Sequence, residues 1–314
     1  MYTVVIPTHN RPELLARALR SVYAQTVLPS QVIVVDDASE PRFALSQEFC
    51  DGRTRLIRHA SPVGGAAARN TGLREAPTSI VAFLDDDDEW LPTKMEKQLA
   101  WLDAHPEAVL VTCGYIRCET GRQYLEIPTQ AFVERYREHD NFFGSFSYLV
   151  VRRSPGMQLD AALPALQDWD FALRVTRGSS FGVIEEPLVR YHAHDLPRIT
   201  TGRGNHLRGL RRCYLKHRFH LSQDARRWVL ARVIFERARL IPTARKRAAR
   251  VAFAIYLSAG CRVPFMMKAR AIGRRAASLG FSQRTIVALR SRLLAAGQGL
   301  RARLHPVRVP SIPA

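Results

Sequence analysis

The chain has 314 residues, 46% hydrophobic and 24% charged, enough to bury one full-sized core and carry a smaller appendage. Its net charge of +19 is uneven: residues 1–200 hold 21 Lys+Arg against 26 Asp+Glu, whereas residues 201–314 hold 26 against only Asp224 and Glu236. The five cysteines lack the paired CxxC spacing of a zinc site, and no uncharged apolar stretch reaches the roughly 18–20 residues that cross a bilayer.

The longest apolar candidate, Val251 to Cys261, ends at Arg262, so a chain that does not span a membrane is expected. Met1 leads almost directly into Val4-Val5-Ile6, without the basic start and cleavage site of an export signal. Scattered cysteines in such a chain read as reduced thiols. The expected location is cytoplasmic, peripheral on the cytoplasmic face of the membrane.

The first 110 residues alternate strand and helix signals. Val4-Val5-Ile6 is a short strand that Pro7 should end, and a helix follows from about Pro12 to Tyr23, with Asn10 near enough to cap it. Val32 to Val35 is apolar on both faces, as in a strand inside a parallel sheet. Leu56-Ile57 is a weaker strand, Ala66 to Glu75 a helix, and Ile80 to Leu84 a strand buried on both sides. A helix from Thr93 to about Ala104 and a strand at Val109 to Val111 complete an α/β pattern with a mostly parallel sheet. From about 113 to 200 the pattern loosens, with strands expected at Phe146 to Val151 and Gly182 to Ile184 and a helix at Trp169 to Thr176. Beyond 205 the signal is helical and basic, clearest where Ile286, Leu289, Leu293, Ala296 and Leu300 alternate steps of three and four. The expected division is a catalytic domain at 1–204, a basic amphipathic region at 205–305 and a disordered tail at 306–314.

Ligands of open α/β sheets bind beyond the carboxyl ends of the strands. Three such ends carry unusual polar residues: Thr8-His9-Asn10-Arg11, Asp36-Asp37-Ala38-Ser39 and Asp85-Asp86-Asp87-Asp88. Adjacent carboxylates repel, so the last run needs either solvent or a hard divalent cation, Mn2+ or Mg2+, shared with phosphate oxygens. Gly64-Gly65 lacks the spacing of a phosphate-binding motif and reads as a flexible loop before a helix.

These blocks, with Ala68-Arg69-Asn70-Thr71-Gly72-Leu73, Ala82-Phe83-Leu84 leading into the aspartates, and Leu166-Gln167-Asp168-Trp169-Asp170, resemble the ordered motifs of the family 2 glycosyltransferases. The resemblance covers roughly residues 1–200 and implies the GT-A fold, a Rossmann-like α/β domain with flanking helices. It implies that Thr8 and Asp37 contact the nucleoside, Asp37 accepting from the base imino group, while Asp36 shapes that pocket and Arg69 serves phosphate or ribose. Asp85 and Asp87 match the DXD acids, one meeting ribose and the other the metal, with Asp86 beside them in the nucleotide site. Asp168 matches the general base of inverting members, although the usual Glu-Asp pair is here Gln167-Asp168. A carboxylate held at a helix N-terminus by the dipole is the alternative for both Asp168 and Asp170. His194 falls where family members carry a His that reaches diphosphate or metal, though both it and His192 could equally lie on the surface. Asn141, Gly144 and Ser147 lie in a segment resembling the acceptor-side strand, where their role is mostly backbone geometry.

The implied activity transfers a sugar from a nucleoside diphosphate, UDP foremost, to a hydroxyl of a glycan or lipid-linked saccharide. The alternative is a non-catalytic docking protein with a degenerate nucleotide-sugar domain. Residues 205–305 combine arginines with Trp228, Phe235, Phe253, Tyr256 and Phe265. Docking on an anionic membrane ranks ahead of packing on the catalytic domain, and nucleic-acid binding has no recognition motif to support it.

Overall fold

The computed structural model describes residues 1–119, 122–193, 203–238, 240, 241 and 261. The chain forms two compact units, Met1–Val229 and Leu230–Ala314. The expected helix at 286–300, the tail at 306–314, His194 and the aromatics at 253, 256 and 265 lie outside the described residues.

In the first unit, β1 (Tyr2–Thr8), β2 (Gln31–Asp36), β3 (Thr54–Arg58) and β4 (Ile80–Phe83) pair in parallel in the order β3-β2-β1-β4. Helices α1 (Pro12–Tyr23) and α2 (Gly65–Glu75) make the crossovers from β1 to β2 and from β3 to β4. The strands are apolar on both sides because both sides are covered. Val4, Ile6, Val32, Val34 and Ala82 pack with Leu15, Leu19 and Val22 of α1 and with Met95 and Leu102 of α3 (Lys94–Ala104). Val5, Ile33, Val35, Val81 and Phe83 face Ala66, Ala68 and Leu73 of α2 and Phe171 and Ala172 of α5 (Gln167–Val175). Each fully buried Val, Leu, Ile, Phe or Met among them contributes roughly 1.5–3 kcal/mol.

Beyond β4 the sheet continues through β8 (Val150–Arg152), antiparallel to both neighbours, to β6 (Ala108–Glu119), β9 (Ser180–His192) and the two-residue β5 (Glu89–Trp90). A hairpin strand, β7 (Arg122–Glu126), pairs with β6, and α4 (Gln130–Tyr136) follows it. The segments expected at Val109–Val111 and Gly182–Ile184 are therefore the first halves of two long strands, β6 and β9, paired in parallel.

Three local expectations change. Pro7 does not end β1: Val5 O accepts from Leu84 N and Thr8 O from Asp37 N. Strand alternation therefore puts the missing Pro7 N–H on the β4 side, past the last β1–β4 pair, where no ladder bond is lost. Asn10 does not cap α1, since Arg11 holds that position; its φ is 58° and its side chain accepts instead from Glu40 N at 2.7 Å. Phe146 to Val151 is no single strand. A one-turn 3-10 helix, Phe146–Tyr148, precedes β8, because Ser145 Oγ accepts from Ser147 N and turns the chain.

The charge step at residue 200 lies inside the first unit, ahead of α6 (Arg203–His217) and α7 (Gln223–Ala238). The reason is an ionic clasp between α5 and α6. Fully buried Asp170 accepts from Arg174 Nε at 2.9 Å and from Lys216 Nζ and His217 Nε2, each at 2.8 Å. Burial opposes ionisation of this carboxyl, but the His217 and Lys216 hydrogen bonds and the Arg174 charge outweigh it and hold its pKa well below the usual range. Asp170→Ala strands buried His217 and should lower the unfolding free energy by about 3–5 kcal/mol in urea titrations. A depressed pKa stabilises above the unfolded value, so the deficit against wild type should shrink as pH falls below about 4.

Candidate active site

The parallel strands deliver their carboxyl ends to one edge. Thr8 is level with Asp36, Asp36 is level with Arg58, and β4 runs directly into Leu84 and the four aspartates. Each loop leaving this edge is tightly held. Among the described residues three non-glycine positions adopt left-handed backbone, Asn10 at φ 58°, Ala38 at 59° and Leu166 at 62°. They follow β1, follow β2 and precede α5, so the strain is confined to segments that face the site.

Asp36 is buried and committed to the scaffold. It accepts from Ser39 N at 3.0 Å and Ser39 Oγ at 2.5 Å, and pairs with Arg58 at 2.5 Å. Asp37 Oδ1 accepts from His59 Nδ1 at 2.8 Å and Val63 N at 2.9 Å, and Oδ2 from Gly64 N at 2.7 Å. Burial would raise the Asp37 pKa, but these donors overcome it and keep the carboxyl ionised below its ordinary value. Gly64, at φ 92°, is thus a fixed donor rather than a slack loop.

The acidic run divides. Asp86 turns toward β1, accepting from Thr8 Oγ1 at 2.8 Å and from Arg11 at 3.1 Å. Burial and the neighbouring Asp87 charge push its pKa up to about 6. Asp85, Asp87 and Asp88 cluster, each offering a carboxylate oxygen within 4.8 Å of the others. Asp85 pairs with Arg69 and accepts from Ser145 Oγ at 2.8 Å; Asp87 lies 3.2 Å from Arg11. Asp88 accepts from Ser147 Oγ at 2.6 Å and from His192 N at 3.3 Å. Burial, with the Asp85 and Asp87 charges, raises Asp88 well above the usual carboxylate range. An all-oxygen set whose members repel one another fits a hard divalent cation, which would relieve that repulsion.

Asp168 opens α5 on the far side of Asp85. Its carboxylate accepts from Trp169 N at 2.8 Å and from its own backbone N–H. Burial first, and the Asp85 charge second, push its pKa up to about 6, against the pull of the Trp169 N–H and Arg69. A helix dipole dominating the site would have lowered it. Two turn-mates therefore differ: Asp170 is bound into the scaffold, whereas Asp168 is left basic and feels the charges of Asp85 and Arg69. Gln167 Nε2 donates to Leu163 O at 2.8 Å, a bond that a Glu could not make. Arg69 lies between these groups, its guanidinium 4.3 Å above the Phe146 ring and its Nε buried without a partner.

The site thus gathers Thr8, Asp36, Asp37, Arg69, Asp85, Asp86, Asp87 and Asp168 with Asp88 and Arg11 of the polar strand ends, and adds His59 and Ser145, which residue patterns alone did not single out. Ser147 is a correction, because its role is not mostly backbone geometry. Fully buried, it donates to Asp88 while accepting from Asp85 N at 3.0 Å, and so ties two of the three clustered acids together. Gly144 does act through the backbone: its φ is 81° and a Cβ there would lie 2.0 Å from the Tyr148 ring. Asn141 Nδ2 donates to the Gly144 carbonyl at 3.0 Å. His192 is not a free surface group; its Nε2 meets Glu89 at 2.6 Å.

The profile of glycosyl transferase family 2 matches residues 3–157. Amylovoran biosynthesis glycosyltransferase AmsB of Erwinia amylovora is 26% identical over 208 residues, 61% of this chain and 69% of that protein. Among solved structures, S. aureus TarS 1-349 in complex with UDP-GlcNAc superposes with a TM-score of 0.59 at 16% identity, covering 98% of this chain and 94% of that one. Mannosyltransferase PcManGT from Pyrobaculum calidifontis, in complex with GDP-Man and Mn2+, gives 0.57 at 20% identity, covering 95% and 86%. The fold is GT-A.

Ser147→Ala removes the bond that orients Asp88, and should raise the Kd for Mn2+ by roughly tenfold or more in calorimetry without nucleotide.

Proposed function

Since the chain belongs to glycosyl transferase family 2 and is a glycosyltransferase, we propose that it moves a sugar from a nucleoside diphosphate, UDP foremost, to a hydroxyl of a glycan or lipid-linked saccharide, with inversion at the anomeric carbon. The observation that carries this reading is the contrast across the sheet edge. A cluster of three mutually repelling carboxylates lies opposite one carboxylate, Asp168, whose environment makes it a better base. The complexes of TarS with UDP-GlcNAc and PcManGT with GDP-Man and Mn2+ support the donor class and the cation, and the name of AmsB supports a polysaccharide acceptor.

Asp37 holds the base: Oδ2 accepts one protein donor and keeps an acceptor position for an imino N–H. Thr8 and Asp86 close the pocket beside it, and Asp36 fixes the loop that presents Asp37. Asp85, Asp87 and Asp88 would hold Mn2+ or Mg2+, which when bound supplies Lewis-acid neutralisation of the departing diphosphate. Arg69, with an unsatisfied buried Nε, turns its guanidinium to the phosphates. Asp168 takes the proton of the acceptor hydroxyl as that oxygen bonds to the anomeric carbon. The bond from that carbon to the diphosphate oxygen breaks, and its electron pair leaves with the nucleoside diphosphate. One base and a single displacement give inversion.

Asp168→Asn should keep nucleotide binding and lower kcat by at least about 100-fold; loss of both binding and transfer would make the residue structural and overturn the base. Only ionised Asp168 accepts a proton, so wild-type kcat/KM at saturating Mn2+ should fall about tenfold per pH unit below about pH 6. Asp87→Ala should abolish the extra thermal stabilisation that Mn2+ adds to UDP or GDP, and full transfer activity in that variant would refute the cation site.

A further inference from the structure

Helix α6 has two faces of opposite character. Gly209, Leu210, Cys213 and His217 are buried. This inner face rests on the segment that leads into Asp168: Arg212 donates to Ala162 O, Cys213 Sγ to Leu166 O at 3.8 Å, and a Cβ on Gly209 would lie 2.6 Å from Ala165 O. The outer face carries Arg208, Arg211 and Leu215, spaced 3 and 4 and so within an arc of about 60°. Leu215 is 44% exposed, and Phe219, in the turn that follows, is 77% exposed, with the Arg218 guanidinium 4.6 Å from its ring. No acidic residue occurs from Arg203 to Gln223.

Solvation of the helix explains exposed arginines but not a phenylalanine held in water beside Arg218. Guanidinium groups around a protruding aromatic side chain match an anionic bilayer, where cations meet headgroups and apolar tips enter the acyl boundary. We propose that the outer face of α6, with Phe219 as its apolar tip, docks the protein on an anionic membrane surface. The inner face of the same helix supports the turn that carries Asp168, so docking brings that turn to roughly one helix diameter, about 10 Å, from the lipid headgroups. A saccharide tethered to lipid then meets the base without leaving the surface. The docking itself does not depend on Asp168 being the base; this last consequence rests on that reading.

The test uses the full chain and vesicles of phosphatidylcholine with or without 30 mol% (roughly the anionic content of a charged leaflet) phosphatidylglycerol. Phe219→Trp places an indole at the tip. Its emission, corrected for the native protein, should shift to the blue and be quenched by acyl-brominated lipid on anionic vesicles alone. Arg208→Gln with Arg211→Gln should weaken vesicle binding roughly 30-fold without changing Tm, and Leu215→Ser with Phe219→Ser should remove the quenchable insertion. An indole that stays in water while the protein sediments with anionic vesicles would overturn the proposal, since another segment would then make the contact. Equal binding to neutral vesicles would overturn its electrostatic basis. Comparable shielding of the indole by single-stranded RNA would reassign the face to nucleic acid.

Discussion

Four adjacent carboxylates at the end of a strand buried on both faces cannot all point the same way and stay ionised. The repulsion is resolved by division. Asp86 is drawn to β1 by Thr8, Arg11 spans Asp86 and Asp87, and Asp85, Asp87 and Asp88 are gathered by groups brought from distant segments. Ser145 and Ser147 arrive from the turn before β8, His192 N from the end of β9, and Arg69 from α2. The long β6–β9 ladder and the antiparallel insertion of β8 make sense in these terms, because they deliver donors to an edge that the first four strands fill with acceptors.

The same logic separates the carboxylates of α5. Asp168 and Asp170 share a helical turn and a helix dipole, yet burial and the Asp85 charge raise one while His217, Lys216 and Arg174 lower the other. The division of labour is set by neighbours from other elements. It also explains why a basic helix far along the chain belongs to the same compact unit as the sheet: α6 supplies the cations that let Asp170 remain charged in the interior.

Much of this was legible in residue order. Doubly apolar strands, helices at 3.6-residue spacing and polar residues at three strand ends place the acidic run, Asp36 and Asp37 on one edge, and the resemblance to the family adds Arg69. What was not legible depends on contacts between remote segments. Nothing in the pattern distinguishes Ser147 from any other serine, because its importance lies in donating to Asp88 and accepting from Asp85 N across some sixty positions. Nor does a row of four identical residues reveal which one faces away. Asn10 misled for a related reason: a residue type that favours helix caps also tolerates left-handed backbone, and the second property is the one in use.

The ion pair between Arg69 and Asp85 has a thermodynamic consequence for the two ligands of the site. A cation that takes Asp85 as a ligand must displace a guanidinium, and an anion that draws Arg69 away leaves Asp85 exposed to its like-charged neighbours. Each ligand therefore lowers the work needed to admit the other. Because such linkage is reciprocal, the factor by which nucleotide tightens the cation equals the factor by which the cation tightens nucleotide.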